Sequence, residues 1–286
     1  MILGIFAILS LFAAGGICLS AGAFENLVWL WLLPVGFLGS FLGIVVLFFL
    51  FLMVLCGFVD QEKPQEKDDP LYRRVIGWVA DFVLIFARVR VHTEGLEKTP
   101  KDGRFLLVCN HLHEADPVVL MRYFKKSQLA FIAKREVKTM FLVGKLMHKI
   151  QCQLINREND KEALRTIIKC IQILKDDLAS VAVFPEGYIH KDRKFYPFRA
   201  GVFKIAQKAN VPVVVCTLTN THNVVKNFLK LKPTDVDLHL LTVIPAEEVT
   251  AVKTVELADR IYRIMAEDLG EAYRPAATEE PKKENT

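Results

Sequence analysis

Charge is almost absent from the first fifth of the chain, and that decides most of what it can become. Between Met1 and Val59 the only charged side chain is Glu25, while all 37 lysines and arginines lie at or beyond Lys63. Residues 1–23 and 27–59 are two uncharged apolar stretches, each exceeding the roughly 20 residues that cross a bilayer core. The link Phe24-Glu25-Asn26 forces them into a hairpin. Pro34 is expected to split the second stretch into a short interfacial piece bearing Trp29 and Trp31 and a span over residues 35–58. A signal peptide would need a basic leading region, and a second span would not follow it at once. A permanent membrane anchor is therefore expected.

Lys63, Lys67, Arg73 and Arg74 follow the second span closely. Positive charge beside a span marks the cytoplasmic side, so everything after the anchor is expected there, on an integral protein of the cell membrane. Residues 60–286 carry a formal charge of +6. With 52% hydrophobic residues the chain has ample material for a core, which excludes a disordered protein, and the anchor excludes a purely soluble enzyme. The six cysteines include no CxxC pair and sit in apolar runs, so they read as reduced core residues.

Beyond the anchor, residues 60–88 read as a linker and a helix over 71–87, which suits a membrane surface or a buried core equally well. Strand and helix patterns then alternate. Strands are expected over 89–92, 105–109, 129–133, 180–184, 211–218 and 238–244. Helices are expected over 117–124, 161–174, 201–209 and 252–269. This alternation, with no internal repeat, predicts an α/β layer structure over residues 89–274. In such folds ligands sit at the carboxyl ends of the strands. The polar tail, residues 275–286, is expected to be disordered.

Two apolar strands run into polar turns. The first is FLLVCN followed by HLHEADP, and the second VAVF followed by PEG. A histidine with an aspartate five positions later, His111 and Asp116, can close across one turn. The carboxylate then fixes one ring nitrogen, leaving the other to take a proton from a hydroxyl. Asp116 before Pro117 is also a good helix N-cap. Asn110 either holds the turn or donates to a substrate oxygen.

Residues 110–116 (NHLHEAD), 151–157 (QCQLINR), 184–187 (FPEG) and 211–216 (VPVVVC) together resemble, in order and separation, the four motif blocks of the 1-acyl-glycerol-3-phosphate acyltransferase family. These are membrane-bound glycerolipid acyltransferases marked by H-x-x-x-x-D. The resemblance implies a glycerol-3-phosphate acyltransferase-like fold, a mixed, largely parallel sheet flanked by helices and preceded by the two-helix anchor. It implies acyl transfer from acyl-CoA or acyl carrier protein to the sn-2 hydroxyl of lysophosphatidic acid, yielding phosphatidic acid for phospholipid biosynthesis. His111 would be the base and Asp116 its orienter. Asn110, Phe184, Pro185, Glu186 and Gly187 would shape the substrate site, and Arg157 would grip the phosphate with a planar guanidinium. The implied partners are membrane lipids, the lysophospholipid acceptor and the acyl donor, with no nucleic acid, no metal and no cofactor beyond that donor.

The third block departs from the family. Tyr188-Ile189-His190 stand where Thr-Arg-Ser is usual, and the missing arginine helps hold the acceptor's phosphate in the family. Lys191, Arg193, Lys194 and Arg199 crowd the same region. The acceptor is therefore open to another lysophospholipid or to glycerol 3-phosphate. Two readings of another class stand beside it. One is a metal-dependent hydrolase built on His111 and His113, and the other an inactive membrane-anchored lipid-binding protein.

Overall fold

A computed structural model describes residues 2–22 and 31–273. The Phe24-Glu25-Asn26 link, Trp29 and the tail from Pro275 lie outside them. Helix α1 (Ile2–Ser20) and helix α2 (Leu32–Gly57) contain no charged residue. An α-helix satisfies its own backbone, which an apolar surround requires. At 1.5 Å per residue the two span about 28 and 39 Å. They run antiparallel, with Phe6 packed edge-on to Phe48 at 5.6 Å and the Ser40 hydroxyl donating to the Ser10 carbonyl at 3.2 Å. Their contact stripe uses small residues, and a Cβ on Gly36 would lie 3.4 Å from the Ala14 backbone. Outward side chains such as Phe12, Leu38, Leu42 and Leu47 are exposed. Two long, apolar, outward-greasy helices fit membrane association.

Pro34 does not divide α2. It falls in the first turn, where a missing N–H breaks no intrahelical bond, and the helix starts at Leu32. Helix α3 (Pro70–Phe86) begins at Asp69, whose carboxylate accepts from the Leu71 and Tyr72 amides at 3.0 and 3.3 Å. One side of this helix is core and the other is open. Tyr72, Val75, Ile76, Ala80 and Leu84 are buried, while Leu71, Ile85 and Phe86 are exposed.

The seven-stranded sheet comprises β1 (Val89–Glu94), β2 (Leu106–Val108), β3 (Leu129–Lys134), β4 (Gln153–Ile155), β5 (Ser180–Val183), β6 (Val213–Leu218) and β7 (Thr234–Ile244), in the order β1-β7-β6-β2-β5-β3-β4. Only β6 and β7 pair antiparallel, with a register shift at Val215/Cys216. The central strands are buried on both faces, as parallel strands between helical layers must be.

One face is covered by α3, α4 (Asp116–Tyr123) and α5 (Phe141–Lys149), and shares a single apolar cluster with Phe48, Leu52 and Cys56 of α2. The opposite face is covered by α6 (Asp160–Lys175), α7 (Lys204–Ala209), α9 (Ala246–Ala251) and α10 (Thr254–Leu269). Helix α8 (Val224–Leu229) joins β6 to β7. α5, β4, α8 and α9 were not expected from the sequence. All six cysteines are free and buried, and burial pushes the Cys152 and Cys170 thiols up to about 11 and about 12.

Candidate active site

β2 lies between β5 and β6, parallel to both, with Val108 opposite Val183 and Val215. The turns leaving these three strands therefore meet. The buried Asn110 amide fastens one join: its Nδ2 donates to the Leu218 carbonyl and its Oδ1 accepts from the Leu218 amide, both at 2.8 Å. That pairing supports the turn-holding reading of Asn110.

His111 Nδ1 lies 2.8 Å from Asp116 Oδ2. The same oxygen accepts from the Leu112 amide at 2.7 Å and the His113 amide at 2.9 Å. The expected N-cap is not formed. Ala115 precedes the helix, Asp116 is its first residue, and the carboxylate is turned back onto the loop rather than onto the amides ahead. Asp116 is fully buried, while the His111 side chain keeps 17% exposure. The imidazole is thus held by one nitrogen and reachable at the other.

Phe184 stacks on that imidazole, with centroids 4.1 Å apart and planes 14° from parallel, and so sets its second axis. Glu186 is buried and points inward. One oxygen accepts from the His111 amide at 2.9 Å and the other from the Tyr196 amide at 3.1 Å. Burial pushes its carboxyl up to about 8 against these two donors, with nearby Asp116 adding to the rise. Glu186 ties the second turn to the backbone of the first.

Gly187 has φ +87°, where any side chain is strained, and a Cβ there would come within 2.9 Å of the Arg199 side chain and push it aside. The Arg199 amide donates to the Pro185 carbonyl at 2.9 Å. Arg157 and Arg199 both lie over the Tyr188 ring, 4.7 and 5.1 Å from its centroid. Burial, with Arg199 adding, holds the Arg157 guanidinium below its ordinary value even though the Tyr188 hydroxyl supports its charge. Two cations gathered on one ring suit an anion.

All the expected residues thus gather at the carboxyl ends of β2 and β5, except Arg157, which reaches in from beyond β4. Sequence reasoning missed Tyr188 as the common platform and Leu218 as the partner of Asn110. Tyr188 was visible only as a departure from a motif. His113 accepts the Ala115 amide at Nδ1, 3.1 Å away, and among the described residues no group of three His, Cys, Asp or Glu side chains is arranged to hold a metal. A cleft of about 630 Å³ at the β4 edge is bordered by residues such as Gln65, Met147 and Thr166, and none of the dyad residues lines it.

Known proteins share this arrangement of strands and turns. Residues 90–219 match the family model described as Acyltransferase, so this chain carries an acyltransferase domain and is an enzyme of that class. Its resemblance is to the 1-acyl-sn-glycerol-3-phosphate acyltransferases, as the four motif blocks imply. The chain is 25% identical over 236 residues to "1-acyl-sn-glycerol-3-phosphate acyltransferase" of Cocos nucifera, covering 82% of this chain and 75% of that one. It is 29% identical over 182 residues to "Probable 1-acyl-sn-glycerol-3-phosphate acyltransferase" of Mycoplasma pneumoniae, covering 62% and 65%. The yeast Saccharomyces cerevisiae enzyme of the same name is 27% identical over 190 residues, 65% of this chain and 61% of that one. The crystal structure of the 1-acyl-sn-glycerophosphate (LPA) acyltransferase PlsC from Thermotoga maritima shares the fold, with TM-score 0.51 and 22% identity over 74% of this chain and 86% of that one.

Proposed function

We propose that this protein moves a fatty acyl group from the thioester of acyl-CoA or acyl carrier protein to the sn-2 hydroxyl of lysophosphatidic acid, forming phosphatidic acid. The observation that carries the reading is the 2.8 Å pairing of His111 with buried Asp116 at the convergent strand ends. The names of the relatives supply the acceptor.

His111 Nε2 takes the proton of the acceptor hydroxyl as its oxygen attacks the thioester carbonyl. The C–S bond then breaks, and the imidazolium returns the proton to the leaving thiolate. Asp116 stabilises the imidazolium and fixes the tautomer, while Phe184 and Glu186 keep ring and loop in place. Arg157 and Arg199 bind the acceptor's phosphate, which relieves the mutual repulsion of the two cations. The protein's own side chains carry this step between acyl donor and acceptor, with no cofactor or metal assigned to it. The hairpin holds the enzyme in the cell membrane with its catalytic domain on the cytoplasmic side, where amphiphilic acceptor and donor meet.

The test is an acceptor panel of lysophosphatidic acid, other lysophospholipids and glycerol 3-phosphate with one labelled acyl-CoA, run beside His111→Ala. Lysophosphatidic acid is expected to be preferred, and His111→Ala to lose on the order of 10² to 10⁴ in rate with the fold kept. A loss below tenfold removes His111 as base, and preference for another acceptor removes the substrate assignment.

A further inference from the structure

Aromatic rings form a continuous path from the anchor to a remote corner of the catalytic domain. Phe49 of α2 meets Phe82 of α3 at 5.6 Å, Phe82 meets Phe86 at 5.7 Å, and Phe86 meets Phe228 of α8 at 5.3 Å. The path also has a direction. The Tyr72 hydroxyl near the start of α3 donates to the Leu55 carbonyl at 3.0 Å, whereas Phe82 further along touches Phe49. Following α3 forward therefore means stepping back along α2, away from its cytoplasmic end. Counting from Leu32, the roughly 20 helical residues that span a hydrocarbon core of about 30 Å end at Phe51, within one turn of Phe49. The carboxyl end of α3, and α8 beside it, thus lie level with the membrane boundary.

What α8 and the turn after it present there is unusual for a protein surface. Leu229 and Leu231 are each 75% exposed and Val225 is 51% exposed. Leu231 has the left-handed backbone conformation, φ +55°, in which Arg88 holds its carbonyl from a guanidinium nitrogen at 2.5 Å. A bulky residue takes that conformation only under constraint. Lys226, Lys230 and Lys232 are exposed among these apolar side chains, and no acidic residue occurs from Thr221 to Pro233.

We infer that residues 224–232 are a second membrane contact, entering the cytoplasmic headgroup layer with Val225, Leu229 and Leu231 while the three lysines bind anionic lipid. This rests on the proposal that the hairpin lies in the bilayer. Apolar side chains ringed by lysines match an interface of acyl chains under anionic headgroups. With hairpin and tip both fixed, the domain has two points of attachment and cannot swing freely about the linker.

Site-directed fluorescence on the full-length protein tests this. Every native cysteine is buried, so a cysteine placed at Leu229 or Leu231 takes an environment-sensitive dye selectively. Leu38→Cys on α2 reports whether the hairpin is in the bilayer, and Val255→Cys on the opposite face of the sheet reports the aqueous side. The proteins are reconstituted into phosphatidylcholine vesicles with and without phosphatidylglycerol, each carrying a nitroxide high on the acyl chain. The expected result is a blue shift and loss of emission at 229, 231 and 38, but not at 255. The loss at 229 and 231 should be larger with phosphatidylglycerol and reduced by K226E/K230E/K232E. Quenching at 38 but not at 229 and 231 overturns the inference alone. No quenching at 38 overturns the bilayer reading beneath it. Quenching at 255 equal to that at 229 shows the tip is not distinct and also overturns it. Equal quenching in both lipid mixtures overturns the anionic-lipid assignment.

Discussion

Asp116 holds three donors on one oxygen, and two of them are backbone amides of the loop it must keep closed. Its charge serves the imidazolium, and its shape serves the loop. Asp116→Asn keeps an acceptor but not the charge, so activity should fall sharply while thermal stability stays near wild type. Asp116→Ala also orphans the Leu112 and His113 amides, at about 1–3 kcal/mol each, so it should lower both. Paired melting curves and rates check this, and an asparagine variant with wild-type turnover would mean the negative charge is not used. Glu186 gives a pH signature. Its carboxyl titrates about 8 in the folded protein against an ordinary 4.5, so the folded state binds the proton more tightly than the unfolded chain. The associated stability is complete below pH 4.5, declines as pH rises, and is gone above 8. Glu186→Gln should flatten the melting temperature over this window, and a slope unchanged in the variant would assign the pH dependence elsewhere. The dyad was legible in the sequence because its members are five residues apart. Glu186 was legible only as a motif letter, since its partners, the His111 and Tyr196 amides, are 75 and 10 residues away and no local pattern encodes them.

Helix α3 shows how adjacent like charges diverge once an element is packed. From sequence, Arg73 and Arg74 are equivalent cations just beyond the second span. In the fold Arg74 is exposed, while Arg73 pairs with both Asp68 oxygens at 2.9 Å and donates to the carbonyls of Leu129 and of Ile150. It thereby clamps the start of α3 to the start of β3 and the end of α5. Arg73→Leu strands a mostly buried carboxylate and two carbonyls, at a cost on the order of 3 kcal/mol. Arg74→Ala should stay within about 0.5 kcal/mol. Melting temperatures in detergent distinguish the two, and equal shifts would show that the clamp contributes nothing. Continuous apolar runs made the central strands readable, as burial on both faces demands. Three-residue β4 and six-residue α8 and α9 are too short to show a period, and β7 reads the same in either direction, so its antiparallel pairing with β6 had no signature.

At the scale of the whole molecule the hairpin is more than a tether. Phe48, Leu52 and Cys56 of α2 are buried in the same cluster as Tyr72, Val75 and Ile76 of α3 and Leu120 and Phe131 of the catalytic domain. The sequence division at residue 59 marks where charge begins, yet apolar packing crosses it, because the second half of α2 lies against α3 and α5 rather than in open surroundings. Deleting residues 1–59 therefore does more than release a domain. It bares the α2-facing side of that cluster and removes the acceptor of the Tyr72 hydroxyl. The shortened chain should aggregate in detergent-free buffer and melt below the full-length protein when kept in detergent, as size-exclusion chromatography and thermal melts would record. A monomeric fragment with the full-length melting temperature would show that the domain's core closes without the hairpin, and that the contact between them is a surface one.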